Sequence, residues 1–134
     1  MNEHPMIPLP QPTDLSRPHW DGCRDGKLMV QRCRRCNTYV FIPQPCCTQC
    51  QSAELDWVES SGRGTVYSYT TVHRAPRPQF DVPYVVAIIA LEEGWYMLSN
   101  VVDCAPGAIT VGMAVRVTYK KMNDDMTLPY FLTA

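Results

Sequence analysis

The chain has 134 residues, 46% of them hydrophobic and 19% charged, enough for one cored domain or for a small domain plus a metal-stapled module. Its formal net charge of −1 makes nucleic acid a poor partner, because such binding relies on Lys and Arg displacing counterions from phosphates. No stretch reaches the ~18 apolar residues of a membrane span, and no basic-then-apolar start marks a secretory signal, so the expectation is a cytoplasmic protein that does not enter membranes.

Pro5, Pro8, Pro10 and Pro12 remove backbone donors and block helix. Residues 1–15 therefore read as an extended arm, either a disordered tail or a segment lying on a partner subunit. Residues 16–26 read as a short helix, with Ser16 as cap, Pro18 in the first turn and Gly26 as a left-handed stop. Its apolar side holds little besides Trp20 and Cys23. A helix this short is unstable alone and is expected to dock through Trp20.

Residues 27–58 read as a zinc ribbon, with strands at 28–32 and 39–42 around the first cysteine pair. Residues 59–134 read as a small closed barrel. Strands are expected at 65–73, 84–91, 95–102, 115–120 and 128–132, with a further short strand at 108–111. Glu92, Glu93 and Gly94 form a hairpin loop, Gly taking the left-handed position. Five or so strands without a long helix fit an OB-fold best.

The cysteines are the strongest signal. Cys33-x2-Cys36 is followed ten residues later by Cys47-x2-Cys50. Each CxxC knuckle aims two thiolates at one point, and two knuckles supply the four soft ligands of a structural zinc site. Four thiolates leave no position for water, so the metal holds the ribbon together and does no catalysis. Asn37 suits the left-handed turn after the first knuckle, whereas Gln51 suits it less after the second. Cys46 would lengthen its pair to CxxxC and is left out. Cys23 and Cys104 read as small apolar fillers.

Candidate ligand-binding residues cluster on and after strand 65–73. By alternation Tyr67, Tyr69 and His73 share one face. Packing against the adjoining module is the simpler reading of that face, and contact with a flat or apolar ligand is the other. Arg74 and Arg77, in a Pro-stiffened loop, can present planar donor forks to a phosphate. His73 has no sequence neighbour to orient it as a base. GxSxG, GxGxxG, P-loop and HExxH motifs are absent.

Taken together, GKLMVQRCRRC at 26–36, CTQC at 47–50, SGRGTVYSYTTVHR at 61–74, PYVVAIIALEEG at 83–94 and TLPYF at 127–131 resemble the zinc-ribbon plus OB-fold family of acyl-CoA-associated proteins. The resemblance covers most of the chain, and SGRGTVYSYTTVHR is its most specific block. It departs from the family at Asn37 and Gln51, where glycine is usual. It implies a mainly β protein: a short N-terminal helix, a rubredoxin-like ribbon and an OB-fold barrel. It further implies a non-catalytic subunit in a hetero-oligomer with a larger thiolase-like enzyme, helping to bind a coenzyme A thioester. The pathway would be lipid or steroid metabolism, and the reaction carbon–carbon cleavage or formation, or acyl transfer. Two other readings stand beside it: a nucleic-acid-binding module, disfavoured by charge, and a stand-alone acyl-CoA hydrolase or transferase using His73.

Overall fold

The computed structural model describes residues 7–134. Pro5 and the first part of the predicted arm lie outside the described residues. Residues 7–13 are irregular, and Ile7 lines a groove with Phe80, Tyr84, Leu98, Leu128 and Tyr130. At Ile7 the arm therefore lies beside its own barrel.

Helix α1 spans Arg17–Arg24. Its end is as expected: Gly26 has φ +74°, Lys27 N–H donates to Gly22 O at 2.8 Å, and Gly26 N–H donates to Cys23 O at 3.2 Å. These are the two bonds of a glycine-terminated helix. Its start differs from expectation, because Ser16 has helical dihedrals and does not cap with its side chain. Thr13 takes that role. Its hydroxyl accepts from Ser16 N–H at 3.1 Å, while Ser16 Oγ accepts from Thr13 N–H at 2.9 Å, a reciprocal capping box. The docking face also differs. His19, Gly22 and Cys23 are buried, and Trp20 is only half-buried. Small residues win there because a Cβ at position 22 would stand 2.5 Å from Met29 Cγ, so the helix approaches closely.

The ribbon is a three-stranded antiparallel sheet in the order β2-β1-β3, with β1 at Leu28–Cys33, β2 at Tyr39–Val40 and β3 at Leu55–Ser60. The strand expected at 39–42 stops at Val40. β3 is an element that local pattern did not indicate, and it pairs along the full length of β1, from Leu28↔Ser60 to Cys33↔Leu55.

The barrel strands are β4 (Arg63–Val72), β5 (Tyr84–Leu91), β6 (Tyr96–Val101), β7 (Ala114–Lys121) and β8 (Thr127–Thr133), closed in the order β4-β5-β6-β8-β7. The expected strand at 108–111 is not one. Pro106–Ala108 is a 3-10 turn, and Ile109 instead drops into the core. Pro106 and the left-handed Gly112 leave no run long enough to pair. β6 and β8 close the barrel through one parallel bridge, Val101↔Phe131, and Val102 N–H donates to Phe131 O at 2.9 Å beside it.

Ribbon and barrel share a core. Leu28 and Val30 of β1 sit in one buried cluster with Val66, Ile89, Trp95, Met97 and Phe131. Rings continue the link: His19 lies 5.5 Å from Phe41, and Phe41 lies 5.2 Å from Trp95. A polar clasp adds to it. Glu93, in the β5–β6 hairpin, accepts from Ser60 Oγ–H at 2.7 Å and Ser61 N–H at 2.6 Å. Partial burial alone would raise the Glu93 pKa, but these donors outweigh it and hold the carboxyl below its ordinary 4.5. A depressed folded pKa contributes stability that is full above 4.5 and fades as pH falls through the folded value. Melting measured between pH 6 and pH 3 should accordingly fall less steeply in Glu93→Gln than in the parent. Parallel profiles would mean the clasp adds no stability.

No helix among the described residues is long and apolar enough to cross a membrane.

Candidate functional site

The sulfurs of Cys33, Cys36, Cys47 and Cys50 all lie within 4.8 Å of one another. Cys33 Sγ is 3.6 Å from Cys50 Sγ, and Cys36 Sγ is 3.5 Å from Cys47 Sγ. A tetrahedral zinc with Zn–S bonds of ~2.3 Å places its sulfurs ~3.8 Å apart, so the donor set fits that ion. The two knuckles repeat one backbone pattern. Asn37 N–H donates to Cys33 O at 2.9 Å and Cys33 N–H to Thr38 O at 2.9 Å. Gln51 N–H likewise donates to Cys47 O at 3.0 Å and Cys47 N–H to Ser52 O at 2.8 Å. Gln49 N–H also points at Cys47 Sγ, 3.3 Å away, where it would offset thiolate charge. Val40 and Leu55 complete a small separate core around the cysteines.

Asn37 and Gln51 both have φ +63°. That conformation costs a non-glycine residue about 1 kcal/mol or more, and Gln lacks the local bonding that helps Asn. Gln51→Gly should therefore raise the melting temperature and slow metal release to a chelator, with a gain of about 1 kcal/mol. Faster release from the glycine variant would show that the Gln51 side chain supports the knuckle. Cys46 is exposed and outside the cluster. Cys23 is buried, and desolvation pushes its thiol up to about 12, in keeping with a filler.

Two ribbon arginines are already engaged. Arg34 Nε is 3.4 Å from Asp56 Oδ2, and the Arg32 guanidinium stands 5.4 Å from the Tyr39 ring centre.

Tyr67 is 59% exposed and Tyr69 38%, so neither packs against the ribbon as expected. β4 changes register between Val66 and Ser68, which breaks the simple alternation along 65–73. Tyr67 instead meets Tyr96 edge-on at 5.2 Å. His73, Arg74 and Arg77 are exposed just beyond β4, and the His73 side chain makes no hydrogen bond among the described residues.

What the residue-by-residue reading missed is an apolar outer face. Ile88 of β5 stands directly opposite Leu98 of β6, and Leu98 is 67% exposed. Tyr67, Tyr96 and Ile42 are exposed as well. A groove of about 670 Å3 continues from Ile42 and Leu98 to Trp20, Leu128 and Tyr130, with the buried His19 on its wall. Burial lowers the His19 pKa more than its bond to Met29 O raises it, so the ring is neutral near pH 7. The signal lay in YVVAIIAL, which is apolar on both faces where a one-sided barrel strand would alternate.

A knuckled four-cysteine ribbon sharing its core with a closed five-stranded barrel defines a zinc-ribbon/OB-fold protein. The chain belongs to the ChsH2, or DUF35, family: residues 20–56 match the ChsH2 rubredoxin-like zinc ribbon domain, and residues 57–120 match the ChsH2 C-terminal OB-fold domain. A "DUF35 domain-containing scaffold protein" of Methanocaldococcus jannaschii is 38% identical over 73% of this chain and 71% of its own length. A "probable enoyl-CoA hydratase alpha subunit" of Thermomonospora curvata is 40% identical over 86% of this chain, which spans only 36% of that longer protein. Among solved structures, a chain of "Ltp2-ChsH2(DUF35) aldolase" superposes with a TM-score of 0.85 at 37% identity, covering 93% of this chain and 98% of that one.

Proposed function

We propose that this chain is a non-catalytic partner subunit of an acyl-CoA-processing complex in lipid or steroid metabolism. Its larger, thiolase-like partner supplies the reacting groups for carbon–carbon cleavage or formation, or for acyl transfer. The observation that carries this reading is the end-to-end likeness to a chain of the Ltp2-ChsH2(DUF35) aldolase. Two features of the molecule support it. The four cysteines would fill the coordination sphere of a structural zinc, leaving no open position for chemistry. The β5–β6 face exposes more contiguous large apolar residues than a solitary surface needs, as an assembly surface does.

In this reading the partner covers Ile88, Tyr96 and Leu98, with Tyr67 and Tyr69 at the margin. Arg74 and Arg77 reach the phosphates of the coenzyme A thioester beside that contact. The deciding experiment is coexpression with a thiolase-like protein from the same organism. A stable hetero-complex that processes acyl-CoA is expected, with no turnover by this chain alone. Thioester cleavage by the isolated chain, lost in His73→Ala, would overturn the assignment. Within the complex, Arg74→Ala and Arg77→Ala should each weaken coenzyme A binding roughly tenfold, the loss of one charge-assisted hydrogen bond. Unchanged affinity in both would make the loop a solvated connector.

A further inference from the structure

Most of the SGRG block has a structural explanation. Gly62 has φ +75°, and a Cβ there would meet the Val117 side chain. A Cβ at Gly64 would meet the Ala90 carbonyl oxygen. Ser60 and Ser61 hold Glu93. Arg63 is left over. It is exposed and forms no ion pair among the described residues. Its cross-strand partner is Arg116, directly opposite on β7 and likewise unpaired. Inward-facing Val115 alternates with Arg116, so both guanidinium groups leave the outer side of the sheet. Like charges placed directly opposite in an antiparallel pair destabilise it. Both arginines line a cavity of about 670 Å3 on this side of the sheet, together with Ser61, Thr65, Glu92 and Ala134. Among the side chains that line it, Glu92 is the one carboxylate beside the two guanidinium groups.

We propose that this cavity binds a phosphate or diphosphate group of a small molecule, gripped between Arg63 and Arg116. Two planar donor forks on one face suit a tetrahedral oxyanion, and the Ser61 and Thr65 hydroxyls supply further donors. The cavity lies in the size range of small-ligand sites. It is separate from Arg74 and Arg77, which lie beyond the other end of the ten-residue β4. It requires no partner subunit and does not rest on the acyl-CoA reading.

The test titrates pyrophosphate, and separately ADP, into the metal-loaded full chain at constant ionic strength. Amide NMR shifts locate the site and calorimetry measures affinity. The expected result is movement of the Arg63, Thr65 and Arg116 amides, with affinity at least about tenfold lower in Arg63→Gln and in Arg116→Gln and unchanged in Arg24→Gln. Binding of both ligands supports a nucleotide diphosphate, whereas binding of pyrophosphate alone supports a free or terminal diphosphate. Without ligand at low salt, Arg116→Gln should melt no lower than the parent, since it removes a repulsion. Silence of those amides at millimolar pyrophosphate would overturn the proposal, even if a variant failed to fold. Affinity retained in the Arg63→Gln/Arg116→Gln double variant would do the same.

Discussion

Cys36→Ser is expected to lose the metal and unfold the ribbon. Metal binding supplies folding free energy on the order of 10 kcal/mol in structural four-cysteine sites. The residues around the cysteines have little else, since their own cluster is only Cys33, Val40 and Cys47 with Cys50 and Leu55 against it. The damage should spread beyond the knuckles. β1 ends at Cys33, yet its Leu28 and Val30 are 1% and 0% exposed in the barrel core. Hydrogen exchange should show β1 and β3 amides losing protection, with the melting temperature of the whole chain falling as well. Elemental analysis should find about one zinc per chain in the parent and none in the variant. Cys46→Ser, at an exposed position outside the cluster, should keep both metal and protection. A metal-free Cys36→Ser chain with native protection in β1 would defeat the structural role.

Leu98→Glu is expected to break assembly with the partner while leaving the isolated chain folded. Leu98 is 67% exposed, so a carboxylate there costs the free chain little. In a complex it would be buried against an apolar surface opposite Ile88. Central apolar contacts of this kind are worth about 2–4 kcal/mol, so affinity should fall by about 100-fold. Tyr67→Ala should weaken assembly by less and leave the melting temperature unchanged, because that ring rests mainly on Tyr96 at the surface. Sedimentation with the partner reads the affinity, and thermal melting of the free chain reads the fold. Normal assembly of Leu98→Glu would move the interface to another face.

The features legible in the sequence are those whose causes are local. Each knuckle closes through backbone bonds spanning at most five residues, so Cys33, Cys36, Cys47 and Cys50 could be grouped by spacing alone. α1 stops at Gly26 through the bonds of Gly26 N–H to Cys23 O and Lys27 N–H to Gly22 O, again over a few residues. The hairpin at Glu92 to Gly94 and the strands on either side follow from turn chemistry and apolar runs. The OB-fold barrel rested on the strand count and on the resemblance of whole blocks to a known family.

What only the tertiary structure decided depends on distant partners. β3 has no periodicity of its own and is a strand because β1, more than twenty residues earlier, offers it an edge. Trp20 looked like the docking residue by size, but close approach at Gly22 turned His19 and Cys23 inward instead. The register slip after Val66 sent Tyr67 to solvent, and a one-residue slip redirects every side chain beyond it. Leu98 becomes part of a surface only when the register sets it opposite Ile88, and Arg63 becomes half of a charged pair only when barrel closure brings Arg116 beside it. The sequence alone determined the four-cysteine cluster and the kind of domains, because short-range turns need no distant neighbour. The tertiary structure alone decided which surfaces are left for a partner or a ligand, because exposure belongs to the packed whole and not to any one segment.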